Sequence, residues 1–326
     1  MRLDQIRRIL DHTLVTVDPA YRGDANETQA MARQLEYFFS TLYDVEYPES
    51  RGRAIVPVNY SVPSGATSHT YVQMDQVGEA GIVSSYAEDI PLVDEFGKEY
   101  SSKIISLAVG FFVSIQDLRS AAMLNRNIDA RKSLLARQAM ERKLDKLFAI
   151  GDTATGITGF ANNSAVPLLT TGITGTWSTA TSAQILADIE IMGKAIYDST
   201  KGTHGNPDNG SKISMVLPPT LYSLIASRRM DTFHEMTILQ YVLKNSVFIG
   251  EITSWGRLET AGATSNPRIV GFDRNPNVCE AIISQDFEIL PMQPKALGYM
   301  VPSHLRFGGT VWRYPLAGFY NDTCGG

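Results

Sequence analysis

Residues 127–151 constrain this chain more than any other stretch. From Asn127 to Ile150 there is neither proline nor glycine, and Ala, Leu, Arg, Lys, Gln, Glu and Met dominate, all strong helix formers. The run predicts one helix of about six turns, roughly 34 Å long. Asn127 can cap its start, Asp129 suits the positive end of the macrodipole, and Gly151 can stop the helix in a left-handed conformation. Ala136, Met140, Leu144 and Leu147/Phe148 recur at helical steps, so one narrow stripe is apolar. Arg131, Lys132, Arg137, Glu141, Arg142, Lys143, Asp145 and Lys146 are assigned to the remaining, polar faces. A solvated helix laid across a sheet satisfies this pattern. A spine spanning the whole protomer accounts better for the length.

The flanks differ in kind. Residues 1–52 begin polar, with Pro19, Gly23 and Asp24 and no core face, and become helical over 27–43, where Met31, Leu35, Phe38/Phe39 and Leu42 fall at helical steps. Such a segment reads as an arm that folds on a partner or not at all. Residues 53–114 are strand-rich. The runs 55–62 and 70–77 read as a hairpin with its tip near 64–68, Pro57 and Pro63 suiting an exposed strand. A polar, loop-like stretch over 84–100 then leads to a return strand at 103–113. A hairpin this long is marginal in water by itself, so it is expected to pack on another subunit. Residues 114–124 read as a short helix with Ser114 and Asp117 at its start. Beyond the long helix come a Gly/Thr/Asn-rich loop, helices over 182–198, 220–227 and 237–245, and strands over 213–217 and near 247–252, 268–272 and 279–284. The tail holds Pro291, Pro294, Pro302 and Pro315, with strands near 297–301 and 305–314.

Composition narrows the class. A chain of 326 residues with 44% hydrophobic and 19% charged residues can bury a sizeable core. The net charge of −5 argues against a wholly nucleic-acid-binding surface. A local basic face remains: residues 127–150 hold six Lys/Arg against three Asp/Glu, which reads either as a solubilising face or as one turned toward phosphates without sequence readout. The apolar run 104–113 is too short to span a bilayer, and the N-terminus lacks the apolar centre of a signal peptide. Two cysteines, Cys279 and Cys324, give neither a disulfide framework nor metal spacing, as in a chain made in a cytoplasm.

No catalytic, cofactor-binding or metal-binding residue is assigned. Gly151-Asp-Thr-Ala-Thr-Gly156-Ile-Thr158 has the spacing of a phosphate-binding loop, but Ile157 stands where its lysine belongs, and a helix precedes it where a strand is required. His12, His69, His204, His234 and His304 are scattered, no two at i, i+4, and His234-Glu235 lacks the second histidine of a zinc-protease helix. There is no nucleophile elbow. Cys279 lies in an apolar strand beside Glu280 and reads as a small core residue. The acidic pairs Glu88-Asp89 and Asp94-Glu95 read as solvated loop residues.

In its order of elements the chain resembles the major capsid proteins of tailed bacteriophages with the Hong Kong 97 type fold, and among these the encapsulin-like group. The segments that carry the resemblance are Asp89-Ile-Pro-Leu-Val-Asp94, the turn Gly156-Ile-Thr-Gly-Phe-Ala-Asn162 after the spine, and Arg306-Phe-Gly-Gly-Thr-Val-Trp-Arg-Tyr-Pro315. The implied fold is α+β: an N-terminal arm (1–52), an extended β-hairpin loop (53–114), a peripheral domain with the long spine helix (115–164), an α/β axial domain (165–285) and closing peripheral strands (286–326). The implied function is structural. Subunits would self-assemble as hexamers and pentamers of an icosahedral head around double-stranded DNA, made in a bacterial host cytoplasm and ending in the virion. The resemblance further implies non-specific contact with packaged DNA and partners among scaffolding, portal and decoration proteins, with no membrane and no enzymatic role. Scaffolding, if needed, is expected to come from a separate protein. Lys98 and Lys103 lie in or near the loop, but no motif identifies an asparagine partner, so covalent cross-linking is not expected. Two alternatives stand beside this reading: an encapsulin nanocompartment holding a cargo enzyme, and a soluble α/β enzyme with a dispersed site.

Overall fold

The computed structural model describes residues 48–82, 91–124, 128–231 and 234–325; residues 1–47 of the arm with His12, the pair Glu88-Asp89, and Asn127 therefore lie outside the described residues. The chain enters through a single helical turn, α1 (Gly52–Ile55), and a two-residue strand, β1 (Val58–Asn59). Two long strands follow, β2 (Ser68–Val77) and β3 (Asp94–Lys103), then β4 (Ile105–Ser114), α2 (Ile115–Leu124) and the long helix α3 (Ile128–Ile150). A tight pair, β5 (Gly151–Asp152) and β6 (Ile157–Thr158), leads to α4 (Ser182–Ser199), β7 (Ile213–Leu217) and α5 (Pro219–Ser227). After β8 (Arg229–Asp231), β9 (His234–Thr237), α6 (Ile238–Asn245), β10 (Ile249–Ser254) and β11 (Ile269–Asp273) come β12 (Cys279–Ile289), β13 (Gln293–Lys295), β14 (Gly298–Trp312) and β15 (Gly318–Asn321).

Two sheets organise the body. In the first, the order is β1-β12-β14-β13, with β4 also paired to β14. All its pairs are antiparallel except β1 with β12. In the second, the order is β10-β7-β11-β15. The tail thus forms one continuous strand over Gly298–Trp312 rather than two, and its last strand, Gly318–Asn321, joins the second sheet.

The hairpin differs from the sequence expectation. Residues 55–62 do not pair with 70–77. Instead β2 runs antiparallel to β3 in unbroken register from Ser68↔Lys103 to Val77↔Asp94. Residues 64–68 lie at the base of this ribbon, and the tip falls between Val77 and Asp94. Part of the stretch read as loop, from Asp94 onward, is strand, and the return strand is split at Ile104, whose N–H donates to Thr67 O at 2.9 Å. The cause is visible in the residues. The turn Gly52–Ile55 and Pro57 leave only Val58 and Asn59 to pair, and they do so with β12.

α3 packs as a spine. Ala136, Met140, Leu144, Leu147 and Phe148 are buried. Each fully buried Leu or Phe contributes about 1.5–3 kcal/mol, several times what exposed i, i+4 charge pairs give, so packing and not surface charge places the helix. Met140, Leu144 and Phe148 share one core with Phe160, Trp255, Phe272, Phe307 and Trp312. A second core joins Ile185, Ile189, Met192 and Ile196 of α4 to Ile213, Met215 and Leu217 of β7 and Val242 of α6. Capping boxes set the starts of both helices, Thr181 with Gln184 for α4 and Thr237 with Gln240 for α6. Asp145 departs from its assignment to a polar face: it is buried on the spine's inner side.

Candidate functional site

Gly151 stops the spine with φ of +73°, as its position predicts. The chain then folds back at once, pairing Gly151 with Thr158 and Asp152 with Ile157. Ile157, the residue standing where a phosphate-binding lysine would be, is buried. The turn that follows clamps the spine's end. Phe160 N–H and Ala161 N–H donate to Phe148 O and Ala149 O at 2.7 and 2.8 Å, and Gly159 N–H donates to Asn162 Oδ1 at 2.8 Å. Phe160 is fully buried and stacks on Trp312, with centroids 5.4 Å apart, while Phe272 meets it edge-on at 4.9 Å. Within Gly156-Ile-Thr-Gly-Phe-Ala-Asn162, residues Ile157, Gly159, Phe160, Ala161 and Asn162 thus each hold the turn in place.

Gly159 has the least room. A Cβ there would lie 2.4 Å from Gly151 N and from Ile150 C, both backbone atoms. Gly159→Ala is expected to destabilise the protein by about 2–3 kcal/mol through overpacking. Gly156→Ala meets nothing within 4 Å and carries only the strain of φ +76°, about 1–2 kcal/mol. Denaturant midpoints of the two variants check the order, and a Gly156 variant at least as destabilised as the Gly159 one would refute this account.

The hairpin is the second feature of the site. Its strands of ten residues each reach roughly 34 Å. Val72 and Met74 lie on one face and Val77 and Phe96 on the other, all between 52% and 60% exposed. Ile82, Leu92 and Val93 near the tip are more exposed still. The hydrogen bonds from ribbon to body sit at the base: Ser102 Oγ donates to Gly308 O at 3.2 Å, Tyr71 Oη to Trp312 O at 3.4 Å, and the Arg306 guanidinium to Ser64 O and Ala66 O. Tyr71 stacks on Tyr100 at 5.2 Å, and Lys98 lies over the Tyr100 ring. Arg306 and Arg313, both in the segment 306–315, therefore fasten the ribbon. Arg313 stands over the Tyr71 ring and pairs with buried Glu280.

The remaining candidates from the sequence fall apart in space. His204 Nδ1 contacts Asp273 Oδ2 at 3.0 Å, Ser211 Oγ donates to the same oxygen at 2.9 Å, and His69 sits at the ribbon base. His304 pairs in the first sheet. Among the described residues no group of three or more His, Cys, Asp or Glu is placed to hold a metal ion. Both cysteines are buried and unpaired. Burial, with the neighbouring Glu280, pushes the Cys279 thiol far up, and burial with Asp188 pushes Cys324 up to about 12. A cleft of about 820 Å³ lies between Asn59, Gln73, His204, Glu280, Arg313 and Leu316. Its charged groups are held in pairs, His204 with Asp273 and Arg313 with Glu280.

The sequence reading missed the joints. Asp145 Oδ1 accepts from Arg51 N–H, Gly52 N–H and Trp255 Nε1–H at 3.1, 3.0 and 3.1 Å, and Oδ2 from Arg257 Nε–H at 2.7 Å. Asp322 takes a two-pronged bond from Arg268 at 2.7 Å on each oxygen. Burial alone would raise the Asp322 carboxyl; the Arg268 bonds, the Ala263 N–H and the Arg268 charge overcome it and hold the group below its usual range. A signal for Asp145 existed, since it lies three positions before Phe148 and one after Leu144.

A two-core body that holds out a ribbon with exposed apolar side chains on both faces has the form of a subunit completed by its neighbours. The comparisons agree. A family model described as major capsid protein matches residues 78–324, and the chain belongs to that family. Its protein is a structural component of a capsid. The capsid of Myoviridae phage XM1 has a TM-score of 0.77 at 18% identity, over 90% of this chain and 98% of that one. The capsid of the native GTA particle gives 0.60 at 13%, over 89% and 95%. A virus-like particle from Pyrococcus furiosus gives 0.51 at 14%, over 82% and 90%. No curated protein sequence matches. The fold is the Hong Kong 97 type that the order of elements resembles.

Proposed function

We propose that the chain builds the icosahedral head of a tailed phage, assembling as hexamers and pentamers around double-stranded DNA, with no enzymatic role. The observation that carries this reading is the ribbon. Two strands alone are marginal in water, and residues such as Met74 and Phe96 are 60% and 59% exposed, so a second copy must cover them. Interfaces of this kind are inseparable from subunit stability. Arg137, Lys143 and Lys146 remain exposed along α3, which suits a face toward packaged DNA bound through its phosphates. In this reading the axial domain expected over 165–285 centres on the four-stranded sheet with α4 and α6, which β15 from the expected peripheral tail also joins. The peripheral domain centres on α3 and the five-stranded sheet, to which β12 belongs from Cys279. The protein would assemble in the bacterial cytoplasm and reside in the virion; none of its described helices is long and apolar enough to cross a membrane.

The test is size. The chain expressed alone, passed through sizing with light scattering and imaged by negative stain, is expected to give closed shells or ring-shaped capsomers. A species that stays monomeric at every concentration, also when mixed with the scaffolding protein of its own source, would overturn the reading. Native shells carrying a cargo enzyme and no DNA would turn it to the nanocompartment.

A further inference from the structure

The base of the ribbon contains a group that ordinary fastening does not need. His69, second residue of β2, pairs with Ser102 of β3 and lies over Gly308 of β14, where a Cβ would come 3.4 Å from its Nδ1. That nitrogen is shielded from solvent and has no hydrogen-bond partner among the described residues. Gly308 in turn packs on Ile282 of β12. The surface that receives the imidazole is thus apolar and backbone-lined. The charged groups that act on it are Glu280 of β12 and Arg313 just beyond β14, and Tyr71, two residues along β2, shares its strand face.

We propose that His69 is a proton-operated latch: as neutral imidazole it seats β2 against Gly308, and as imidazolium it weakens that seat and lets the ribbon swing on its base.

A neutral imidazole can leave its Nδ1 lone pair idle at modest cost, because an acceptor without a donor is the milder form of an unmet polar group. Protonation puts an N–H and a delocalised positive charge into the same shielded spot, where no acceptor stands among the described residues and desolvation opposes charge. Arg313, of like sign, adds to the opposition. Glu280 would favour the charged ring, yet its carboxylate is already engaged by Arg313 and by Asn59 Nδ2, the latter at 3.0 Å. Burial, the largest influence, and Arg313 together outweigh Glu280, so the imidazole lies below its ordinary value of 6.5. For a histidine depressed in the seated state, seating is at full strength above the ordinary value. It is lost progressively as the pH falls through that value toward the depressed one. The remaining fasteners, from Ser102, Tyr71 and Arg306, carry no proton that titrates in this range. Histidine therefore sets the window, and the inference holds for the protomer whatever the final shell contains.

Hydrogen exchange of the full chain tests it, with rates corrected for the chemical pH dependence of exchange and compared between about pH 7.5 and about pH 5. In wild type, protection of peptides within 68–77 and 94–103 is expected to fall by at least about threefold relative to peptides of 279–289. In His69→Gln it should change by less than about half of that. An equal fall in both proteins, or none in wild type, overturns the latch. If His69→Gln fails to fold, shown by lost protection in 279–289, the wild-type titration decides alone. A single-proton curve centred below about 6.5 but above the carboxylate range supports the latch, and a midpoint near about 4 overturns it.

Discussion

Asp145→Ala is expected to cost about 3–5 kcal/mol of stability, because it strands two buried donors at about 1–3 kcal/mol each and removes an ion pair besides. Asp145 is 5% exposed, and it ties together three parts of the chain. Arg51 and Gly52 bring the chain into the body, α3 supplies the carboxylate, and Trp255 and Arg257 follow β10 of the second sheet. Trp255 is itself buried at 1% exposure, so its indole N–H has no water to turn to when the carboxylate is gone. Arg257, 39% exposed along its side chain, can rehydrate, and its loss matters less. Asp145→Asn keeps one acceptor oxygen and should cost about 1–2 kcal/mol. The order wild type, Asn, Ala in denaturant midpoint is the result to look for. An alanine variant within about 0.5 kcal/mol of wild type would show that the chain does not depend on this joint.

Asp145 also shows where sequence reasoning stops. The long helix was legible because its signal is local: propensity, a stripe at helical spacing and a terminating glycine all sit within one stretch. The same periodicity places Asp145 beside Leu144 and Phe148, but a carboxylate on the edge of a stripe reads as surface until its donors are known. Those donors stand about one hundred residues away in sequence, at positions 51, 52, 255 and 257. Glu280 with Arg313 and Asp322 with Arg268 were hidden for the same reason. The ribbon failed differently. Asp94-Glu-Phe-Gly-Lys-Glu-Tyr100 carries no alternation because neither face of this strand is buried in the protomer, and alternation exists only where one face is. The run at 55–62, apolar enough to look like the partner of 70–77, is drawn instead to β12. The motif at 156–162 was visible as spacing, but its purpose, holding Phe160 against Trp312 under the spine's last carbonyls, needed the fold.

Shortening the ribbon should abolish assembly while leaving the protomer intact. Val77 faces Asp94 at the end of the register, so residues 78–93 can be replaced by Asn-Gly, the two-residue turn that fits right-twisted antiparallel strands. The change removes Ile82, Leu92 and Val93, 107%, 88% and 69% exposed, which contribute nothing to either core. The unfolding midpoint should therefore hold within about 0.5 kcal/mol, as for other surface changes. Shell yield should drop by at least about tenfold, since each lost anchor weakens every copy of a contact that the closed shell repeats. Removing 62–70, by contrast, cuts the base. Ser64 O and Ala66 O receive Arg306, Thr67 O receives Ile104 N–H, and His69 lies against Gly308, so that deletion damages the protomer and cannot isolate the interface. Met74→Ser and Phe96→Ser give a finer control on opposite faces of the ribbon. If only one of them lowers shell yield, that face is the one a neighbouring copy covers. Normal shells from the shortened ribbon would remove the reason to regard its tip as an assembly element, because Ile82, Leu92 and Val93 would then have no partner to account for them.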